Sequence, residues 1–164
     1  MGVEVRTIAP DELEGWGAAM FRGFHNQPQQ GWAEFVRPDY ELERVWAAFD
    51  GDQVVGTLRS FPSELTVPGG AIVPSAALTN VTVAPTHRRQ GLLRRMLDPD
   101  LAAAKERGEP LGILIAAEFP IYGRFGYGSA ADHVLYVVDA RVLSIFEGAD
   151  ETLCLKVIAR RLAT

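Results

Sequence analysis

Hydrophobic residues near the start of the chain follow first the period of a strand and then that of an amphipathic helix. Residues 3–8 alternate like a strand, and Pro10 opens a segment in which apolar residues recur at helical spacing. A break rich in Gln, Gly and Pro follows at 26–31, and a second short helix is predicted to begin at Pro38 and to end near Arg44. The apolar residues of the first helix are Leu13, Trp16, Met20 and Phe24.

The middle of the chain has the pattern of an antiparallel meander. Strand-like runs at 45–49 and 53–61 flank Asp50-Gly51, a pair that tolerates the positive φ angles of a tight hairpin turn. A third strand is predicted to end near Pro68, and a fourth to run over about 72–83. Consecutive strands joined by short turns predict an antiparallel sheet.

The pattern changes after this meander. A strand over 79–83, a basic turn over 86–92 and an amphipathic helix closing near Gly108 precede the run 111–116, which is typical of a buried parallel strand. This order predicts a βαβ unit. Pro99 lies inside the predicted helix, where a proline costs about 3 kcal/mol, so we expect a kink or an early break there.

The last part of the chain predicts shorter elements. We expect a helical turn over 119–125, a strand over 133–139 and a last strand over 153–159. No internal repeat or linker is visible, so the order of elements predicts one mixed α/β domain.

Composition and charge narrow the class of protein. The chain has 164 residues, 48% of them hydrophobic, which excludes disorder, and a net charge of −5, which excludes a polycation that coats nucleic acid or anionic lipid. Cys154 is the only cysteine, so neither an intramolecular disulfide nor a cysteine-rich zinc site is expected, and the three histidines are too dispersed for a metal motif. No apolar run reaches the roughly 18 residues of a membrane span, and the first fifteen residues lack a signal-peptide core. We expect a cytoplasmic protein without metal, membrane or nucleic-acid partners.

The segment 85–93 combines features that bind phosphate. A strand stops at Pro85 and a helix begins directly after Gly91, so unpaired N–H groups and the positive helix end point to one place. Arg88 and Arg89 can add charge-assisted hydrogen bonds. Neither G-x-x-x-x-G-K-[ST] nor G-x-G-x-x-G is present. The alternative is a solvated basic helix start.

This segment resembles the acetyl-CoA motif [RQ]-x-x-G-x-[GA] of the GCN5-related N-acetyltransferase (GNAT) superfamily. Arg88-Arg89-Gln90-Gly91-Leu92-Leu93 fits its first four positions, and Leu93 replaces the last small residue. The string 83–94 and the string Ile121-Tyr122-Gly123-Arg124-Phe125-Gly126-Tyr127-Gly128 resemble the enhanced intracellular survival (Eis) family of acetyltransferases. The resemblance covers about residues 1–140 and implies a GNAT fold, in which a mixed central sheet joins an antiparallel N-terminal meander to a βαβ acetyl-CoA-binding core. We expect a single such domain over 1–164, with the residues beyond about 140 poorly matched.

The resemblance also implies roles for single residues. Tyr122 would be the general acid, because a tyrosine of pKa near 10 keeps its proton at neutral pH and can give it to a leaving thiolate. The alternative is a packed aromatic in a glycine-rich turn, and Tyr127 is a weaker rival. The strand 81–83 would pair with the pantetheine arm through its backbone, and the turn 88–94 would hold the pyrophosphate. The implied cofactor-binding residues are Val81, Thr82, Val83, Arg88, Arg89, Gln90, Gly91, Leu92, Leu93, Arg94, Ala117 and Glu118.

The acceptor side is less defined by the sequence. We expect Trp32 to face the substrate, because it lies in the irregular segment between the first two predicted helices. The Eis family implies chains more than twice as long, with a base at the end of a third domain, so either this chain is a fragment or short relative, or it works on an already deprotonated amine. Glu118 is a candidate base that would act through water.

The leading hypothesis is an acetyl-CoA-dependent N-acetyltransferase that acts on a primary amine by direct attack. The acceptor would be an aminoglycoside, a polyamine or a lysine-like amine, and we expect a homo-oligomer. The alternative is a non-catalytic acyl-CoA-binding or oligomerisation module. A third hypothesis, nucleic-acid binding through His87, Arg88, Arg89, Arg94 and Arg95, is disfavoured by the net charge.

Overall fold

The fold is a five-stranded mixed sheet in the strand order β1-β2-β3-β4-β5. The computed structural model describes residues 2–116 and 119–130. The strands β1 to β4 pair antiparallel, and β4 pairs parallel with β5. The strands are β1 (Glu4–Thr7), β2 (Val45–Asp50), β3 (Gln53–Thr66), β4 (Ile72–Val83) and β5 (Leu111–Leu114), and the helices are α1 (Leu13–Gly23), α2 (Trp32–Val36) and α3 (Leu92–Glu106).

This topology confirms the predicted fold class. β2, β3 and β4 form the antiparallel meander, and β4, α3 and β5 form the βαβ unit. The chain divides into two units, Met1–Gly128 and Ser129–Thr164, and every strand and helix named above lies in the first. The extent of the domain beyond residue 130 stays a prediction. The predicted strands 133–139 and 153–159, and Cys154, lie outside the described residues.

The sheet separates two hydrophobic cores. The α1-side core is built mainly from α1, β2 and Ala33 of α2, and the α3-side core from β2, β3, β4 and α3. The buried members of the α1-side core are Ile8, Leu13, Trp16, Met20, Ala33, Val45, Ala47 and Phe49. Those of the α3-side core are Ala48, Val55, Leu58, Leu78, Leu92, Met96 and Leu97.

Two predicted boundaries are wrong. The second helix begins at Trp32, and Pro38 lies in the following 3-10 turn, Arg37–Asp39. Gly31 starts this helix with a left-handed φ of 75°, a conformation that glycine adopts without steric cost. The strand expected over 53–61 and the third strand expected to end near Pro68 are one strand, β3, which runs to Thr66 because β4 supplies a hydrogen-bonding partner as far as Ile72.

α3 does not break at Pro99. The helix runs from Leu92 to Glu106, with buried residues on both sides of the proline. The next residue, Asp100, is 1% exposed and accepts hydrogen bonds from Ser60 Oγ at 2.7 Å and Trp46 Nε1 at 3.1 Å. Burial on the sheet and this polar network outweigh the hydrogen bond that the proline removes.

Membrane-spanning helices and clusters of metal ligands are both absent from the part of the chain that the structure describes. No helix there is long and apolar enough to cross a membrane. No group of three His, Cys, Asp or Glu side chains in the same residues is placed to hold a metal ion.

Candidate acetyl-CoA and acyl-transfer site

β4 carries an open backbone edge near its end. Its pairing with β5 stops at Leu78, opposite Leu114, while its pairing with β3 continues to Val83. No other described strand takes up the edge that β5 leaves. Backbone N–H and C=O groups on such an edge can hydrogen-bond an extended ligand as an added strand would. The residues predicted to bind pantetheine, 81–83, lie on this edge.

A β-bulge distorts β4 where this edge begins. Thr57 and Arg59 of β3 pair with Thr82 and Thr79, so β4 has one residue more than β3 across the interval. Asn80 has a left-handed φ of 55°, which asparagine adopts more easily than most residues. A bulge bends its strand and increases the local twist, and this accounts for the end of the pairing with β5.

Threonine hydroxyls hold the bulge in place. Thr57 Oγ1 donates to the carbonyl of Asn80 at 2.7 Å and lies 2.8 Å from Thr82 Oγ1. Because the Thr57 proton is given to Asn80, Thr82 donates to Thr57. A Cβ on Gly23, the last residue of α1, would lie 2.5 Å from Thr82 Cβ, so α1 packs closely on this side chain. The Thr82 side chain is therefore engaged within the protein, and its backbone is the part left for a ligand.

The turn after β4 presents backbone N–H groups at the start of α3. Arg89 and Gly91 have left-handed φ values of 62° and 73°. Residues of this conformation in a turn direct successive N–H groups to one side and form an anion-binding concavity. No described side chain caps α3, so its first N–H groups keep their partial positive charge. Arg88 and Gln90 are exposed beside them. The uncapped start of α3 and the exposed basic side chains beside it are features that can bind a phosphate group.

The other basic residues near the turn have partners within the protein. His87 Nε2 lies 3.2 Å from Asp50 Oδ2, and an Arg95 guanidinium nitrogen donates to the carbonyl of Val3 at 2.6 Å. The first contact attaches the turn to the β2–β3 hairpin, and the second attaches α3 to the chain before β1. Two of the residues in the nucleic-acid hypothesis therefore serve the fold rather than an open basic surface.

Tyr122 packs against the α3-side core, as do Val81 and Val83 of β4. The turn that follows Tyr122 is joined to the start of α3, because the Arg94 guanidinium lies 5.2 Å from the centroid of the Phe125 ring. The predicted acid and the strand and turn predicted to bind coenzyme A are thus brought to one side of the sheet.

Tyr127 is the second phenol near this turn. Its ring centroid lies 6.0 Å from that of Tyr122, with the planes at 73°. Burial raises the pKa of Tyr127 to about 12, and the Asp100 carboxylate and Tyr122 add to the shift. A phenol with this pKa gives up its proton less readily than an ordinary tyrosine. The choice of Tyr122 as the acid stays a prediction, and the weak acidity of Tyr127 favours it.

The remaining predicted cofactor residues differ in their surroundings. Leu92 is buried and Leu93 is half-buried against the α3-side core, so both fix the start of α3. Ala117 and Glu118 lie outside the described residues, and their predicted contacts stay predictions.

Trp32 packs against the α1-side core as the first residue of α2, and not in an irregular segment. Its ring stacks on Trp16, with centroids 6.2 Å apart and planes at 17°. Phe21 and Tyr40 meet it edge-on at 5.5 Å and 5.7 Å. Substrate contact through Trp32 stays a prediction.

Two surface cavities lie apart from the β4 edge. One, of about 510 Å³, lies between α1 and the β2–β3 hairpin, and one, of about 310 Å³, lies between α3 and the start of β5. None of the predicted coenzyme A residues lines either cavity. The candidate site is therefore an open strand edge and turn, a shape that suits an extended ligand.

Two residues that shape the site were not predicted from the sequence. Asn80 makes the bulge, and Gly112 of β5 lies so close to Tyr127 that a Cβ there would be 2.7 Å from its hydroxyl oxygen. An asparagine and a glycine inside apolar strand runs were the available signals, because such residues often mark a bulge or a close backbone approach.

Known proteins are similar to this chain in sequence and in fold. A profile of the acetyltransferase (GNAT) domain matches residues 4–130. An uncharacterised N-acetyltransferase of Streptomyces griseus is 51% identical over 133 residues, which cover 80% of this chain and 32% of the relative. The N-acetyltransferase Eis of Mycobacterium tuberculosis is 40% identical over 125 residues, which cover 76% of this chain and 31% of Eis.

A solved structure of an Eis protein is similar to this chain in fold. The crystal structure of Eis1 from Mycobacterium abscessus superposes with a TM-score of 0.66 at 35% identity, covering 77% of this chain and 31% of Eis1. The chain thus spans about a third of the length of these relatives. With the domain profile matched over most of the chain and the mixed sheet in place, the chain belongs to the GNAT acetyltransferase family and is similar to the Eis N-acetyltransferases.

Proposed function

We propose that this chain binds acetyl-CoA and transfers its acetyl group to a primary amine. The observation that carries the proposal is the convergence of three features on one side of the sheet: the open edge of β4, the turn before α3, and Tyr122. Acetyltransferases of the GNAT family use acetyl-CoA, and the chain's own residues offer contacts for its pyrophosphate, its pantetheine arm and its thioester sulfur.

Binding would use backbone more than side chains. The pyrophosphate would accept hydrogen bonds from N–H groups of the turn 88–91 and the first turn of α3, with Arg88 and Arg89 adding charge. The pantetheine amides would pair with the free edge of β4 at 81–83. This arrangement directs the thioester along β4 toward the side on which Tyr122 packs.

Transfer would proceed by direct attack of the amine. The amine nitrogen bonds to the thioester carbonyl carbon, the C–S bond breaks, and the sulfur takes the proton of the Tyr122 hydroxyl. The amine gives its extra proton to solvent or to a base, and Tyr122 regains a proton from solvent. The acetylated amine and coenzyme A are released.

The acceptor is proposed by class only. A net charge of −5 is compatible with a cationic acceptor such as an aminoglycoside, a polyamine or a lysine side chain. Incubating the chain with acetyl-CoA and a panel of these three amines should give acetylated product detectable by mass spectrometry. Coenzyme A binding without product from any amine would favour the alternative, a non-catalytic acyl-CoA-binding or oligomerisation module.

The binding site is tested at Gly91. Gly91→Glu places a carboxylate against the pyrophosphate and should weaken coenzyme A binding roughly tenfold or more in calorimetry, because like charges a few Å apart repel. Gly108→Glu is the matched control: Gly108 is also left-handed, with φ of 79°, has the same open surroundings, and lies beyond the other end of α3. Equal affinity in the two variants would contradict this assignment.

The role of Tyr122 is tested by Tyr122→Phe, which removes only the hydroxyl. Coenzyme A affinity should stay nearly intact, while turnover should fall by roughly 10² to 10⁴, the range for a lost acid–base group. Without an enzyme base, the wild-type rate should rise with pH until the acceptor amine is deprotonated. Normal turnover in Tyr122→Phe would exclude this residue as the acid.

A further inference from the structure

We propose that Tyr127 is the positioning residue for Tyr122, and that Gly112 is the position on β5 that admits the Tyr127 ring. The inference rests on the proposed function only in taking Tyr122 as the acid. The arrangement of Tyr122, Tyr127 and Gly112 itself is a property of the fold.

Gly112 is in close contact with Tyr127. A Cβ on Gly112 would lie 2.7 Å from the Tyr127 hydroxyl oxygen, 3.1 Å from Cζ and 3.2 Å from Cε1. The hydroxyl end of the ring therefore lies directly on the backbone of β5, in space that any other residue would occupy. Gly112 pairs with Ala76 of β4, so the backbone beneath the ring is fixed by the parallel strand pair.

The Tyr127 ring in turn meets Tyr122. The two rings are edge-to-face, with centroids 6.0 Å apart, and both pack against the α3-side core. Gly126 reverses the chain between them with a left-handed φ of 90°. An aromatic edge against a ring face has a preferred geometry. A shift of Tyr127 would therefore turn or displace Tyr122.

The electrostatic surroundings suit a positioning role. Burial and the Asp100 carboxylate keep Tyr127 neutral, with a pKa of about 12. The Asp100 carboxylate is itself held by Ser60 and Trp46. Tyr127 thus remains an uncharged neighbour of constant shape over the pH range in which an amine is acetylated.

A double-mutant cycle tests the proposal. Gly112→Ala should lower kcat roughly ten- to hundredfold with little change in the KM for acetyl-CoA, because displacing a reacting group by about 1 Å costs this much. Tyr127→Phe should change kcat by less than about threefold, since the ring remains. The double variant should recover most of the loss, because the shortest contact, 2.7 Å to the hydroxyl oxygen, is gone. Gly128→Ala, a control with open space at its Cβ, should behave as wild type.

Tyr127→Leu removes the ring edge and gives a second test. Its kcat should fall like that of Gly112→Ala, and a loss confined to thermal stability would overturn the positioning role. Wild-type kcat in Gly112→Ala would also overturn the positioning role, and so would a kcat that does not recover in Gly112→Ala/Tyr127→Phe. Tyr122→Phe separates the two proposals. Normal turnover in this variant would exclude Tyr122 as the acid, and the effect of Tyr127 on the position of the Tyr122 ring is then tested by NMR.

NMR of the tyrosine rings provides a readout that needs no activity. The Tyr122 signals, assigned by their loss in Tyr122→Phe, should shift in Gly112→Ala and in Tyr127→Leu, and should return toward wild type in Gly112→Ala/Tyr127→Phe. They should stay in place in Gly128→Ala. Unchanged Tyr122 signals in folded Gly112→Ala and Tyr127→Leu would overturn the inference, whether or not an acceptor amine is known.

Discussion

The Glu12 carboxylate is held in its charged form at the junction between β1 and α1. It accepts hydrogen bonds from two Arg6 guanidinium nitrogens at 2.7 Å and 2.6 Å and from the backbone N–H of Ala9 at 2.7 Å. The Arg6 hydrogen bonds are the main reason that the pKa of Glu12 is lowered from 4.5 to about 2. Because the folded state lowers this pKa, the contact stabilises the fold above pH 4.5 and loses its effect as the pH falls toward 2.

Glu12→Gln should therefore flatten the acid limb of the stability profile. At pH 7 the variant should lose up to about 1 kcal/mol of unfolding free energy, a value limited by solvent screening of the partly exposed pair. The loss should shrink between pH 4.5 and 2, where the wild-type carboxyl also becomes neutral. Urea denaturation at several pH values measures this. Glu14→Gln, a change at an exposed carboxylate two residues along the chain, is the control, and an equal loss in both variants would contradict the prediction.

At the residue scale, the sequence predicts side chains whose role is local. The turn around Gly91 could be predicted because a glycine, two arginines and a helix start are adjacent in the chain. Asn80 and Gly112 give only a weak local signal, because their importance comes from pairing with another strand or from a ring that lies farther along the sequence. Motif comparison identified Tyr122, but only the fold brings Tyr127 onto its ring.

At the scale of the element, two of the three glycines in α1, Gly15 and Gly17, have opposite surroundings. A Cβ on Gly15 would meet nothing within 4 Å, whereas a Cβ on Gly17 would lie 2.2 Å from Cζ3 of the Trp32 ring. Trp32 stacks on Trp16, so the ring has little freedom to move away. In this helix, glycine at position 15 only lowers helix stability, whereas glycine at position 17 is needed for the packing of Trp32.

Gly15→Ala and Gly17→Ala should change stability in opposite directions. Alanine raises helix propensity by about 0.5–1 kcal/mol, and at position 15 this gain should appear in full. At position 17 overpacking against Trp32 costs about 1–3 kcal/mol, so Gly17→Ala should be destabilising overall. Thermal unfolding of both variants measures the difference. Stabilisation by Gly17→Ala would mean that the ring can move aside.

Packing between elements explains why the predicted start of the second helix is wrong. Proline and glycine mark breaks when only neighbouring residues are considered, so the sequence places a helix start at Pro38 and allows an early break at Pro99. In the structure, Trp32 starts its helix where its ring can pack on Trp16, and α3 continues past Pro99 because it is buried on the sheet. Tertiary burial therefore set these boundaries against the local preference.

At the scale of the whole molecule, large apolar side chains remain exposed in the described part of the chain. Phe35 is 83% exposed, Ile115 is 79% exposed and Ile72 is 63% exposed. They lie on different elements, in α2, after the end of β5 and at the start of β4. We propose that the expected homo-oligomer covers some of this apolar surface.

Sedimentation equilibrium should accordingly show self-association that increases with concentration. Phe35→Ser and Ile115→Ser, which replace exposed side chains, should weaken it without lowering the unfolding free energy by more than about 0.5 kcal/mol. A 17.9 kDa monomer at every concentration would contradict the prediction.

β4 also has a consequence for the order in which the fold forms. Its contact with β3 needs only the short turn between Thr66 and Ile72, whereas its contact with β5 must wait until all of α3 has been placed between them. Loop closure makes the second contact slower, so the meander can form early and the β4–β5 pair late. The phosphate-binding turn lies inside this late connection. A bound coenzyme would then hold together the part of the sheet that assembles last and opens first.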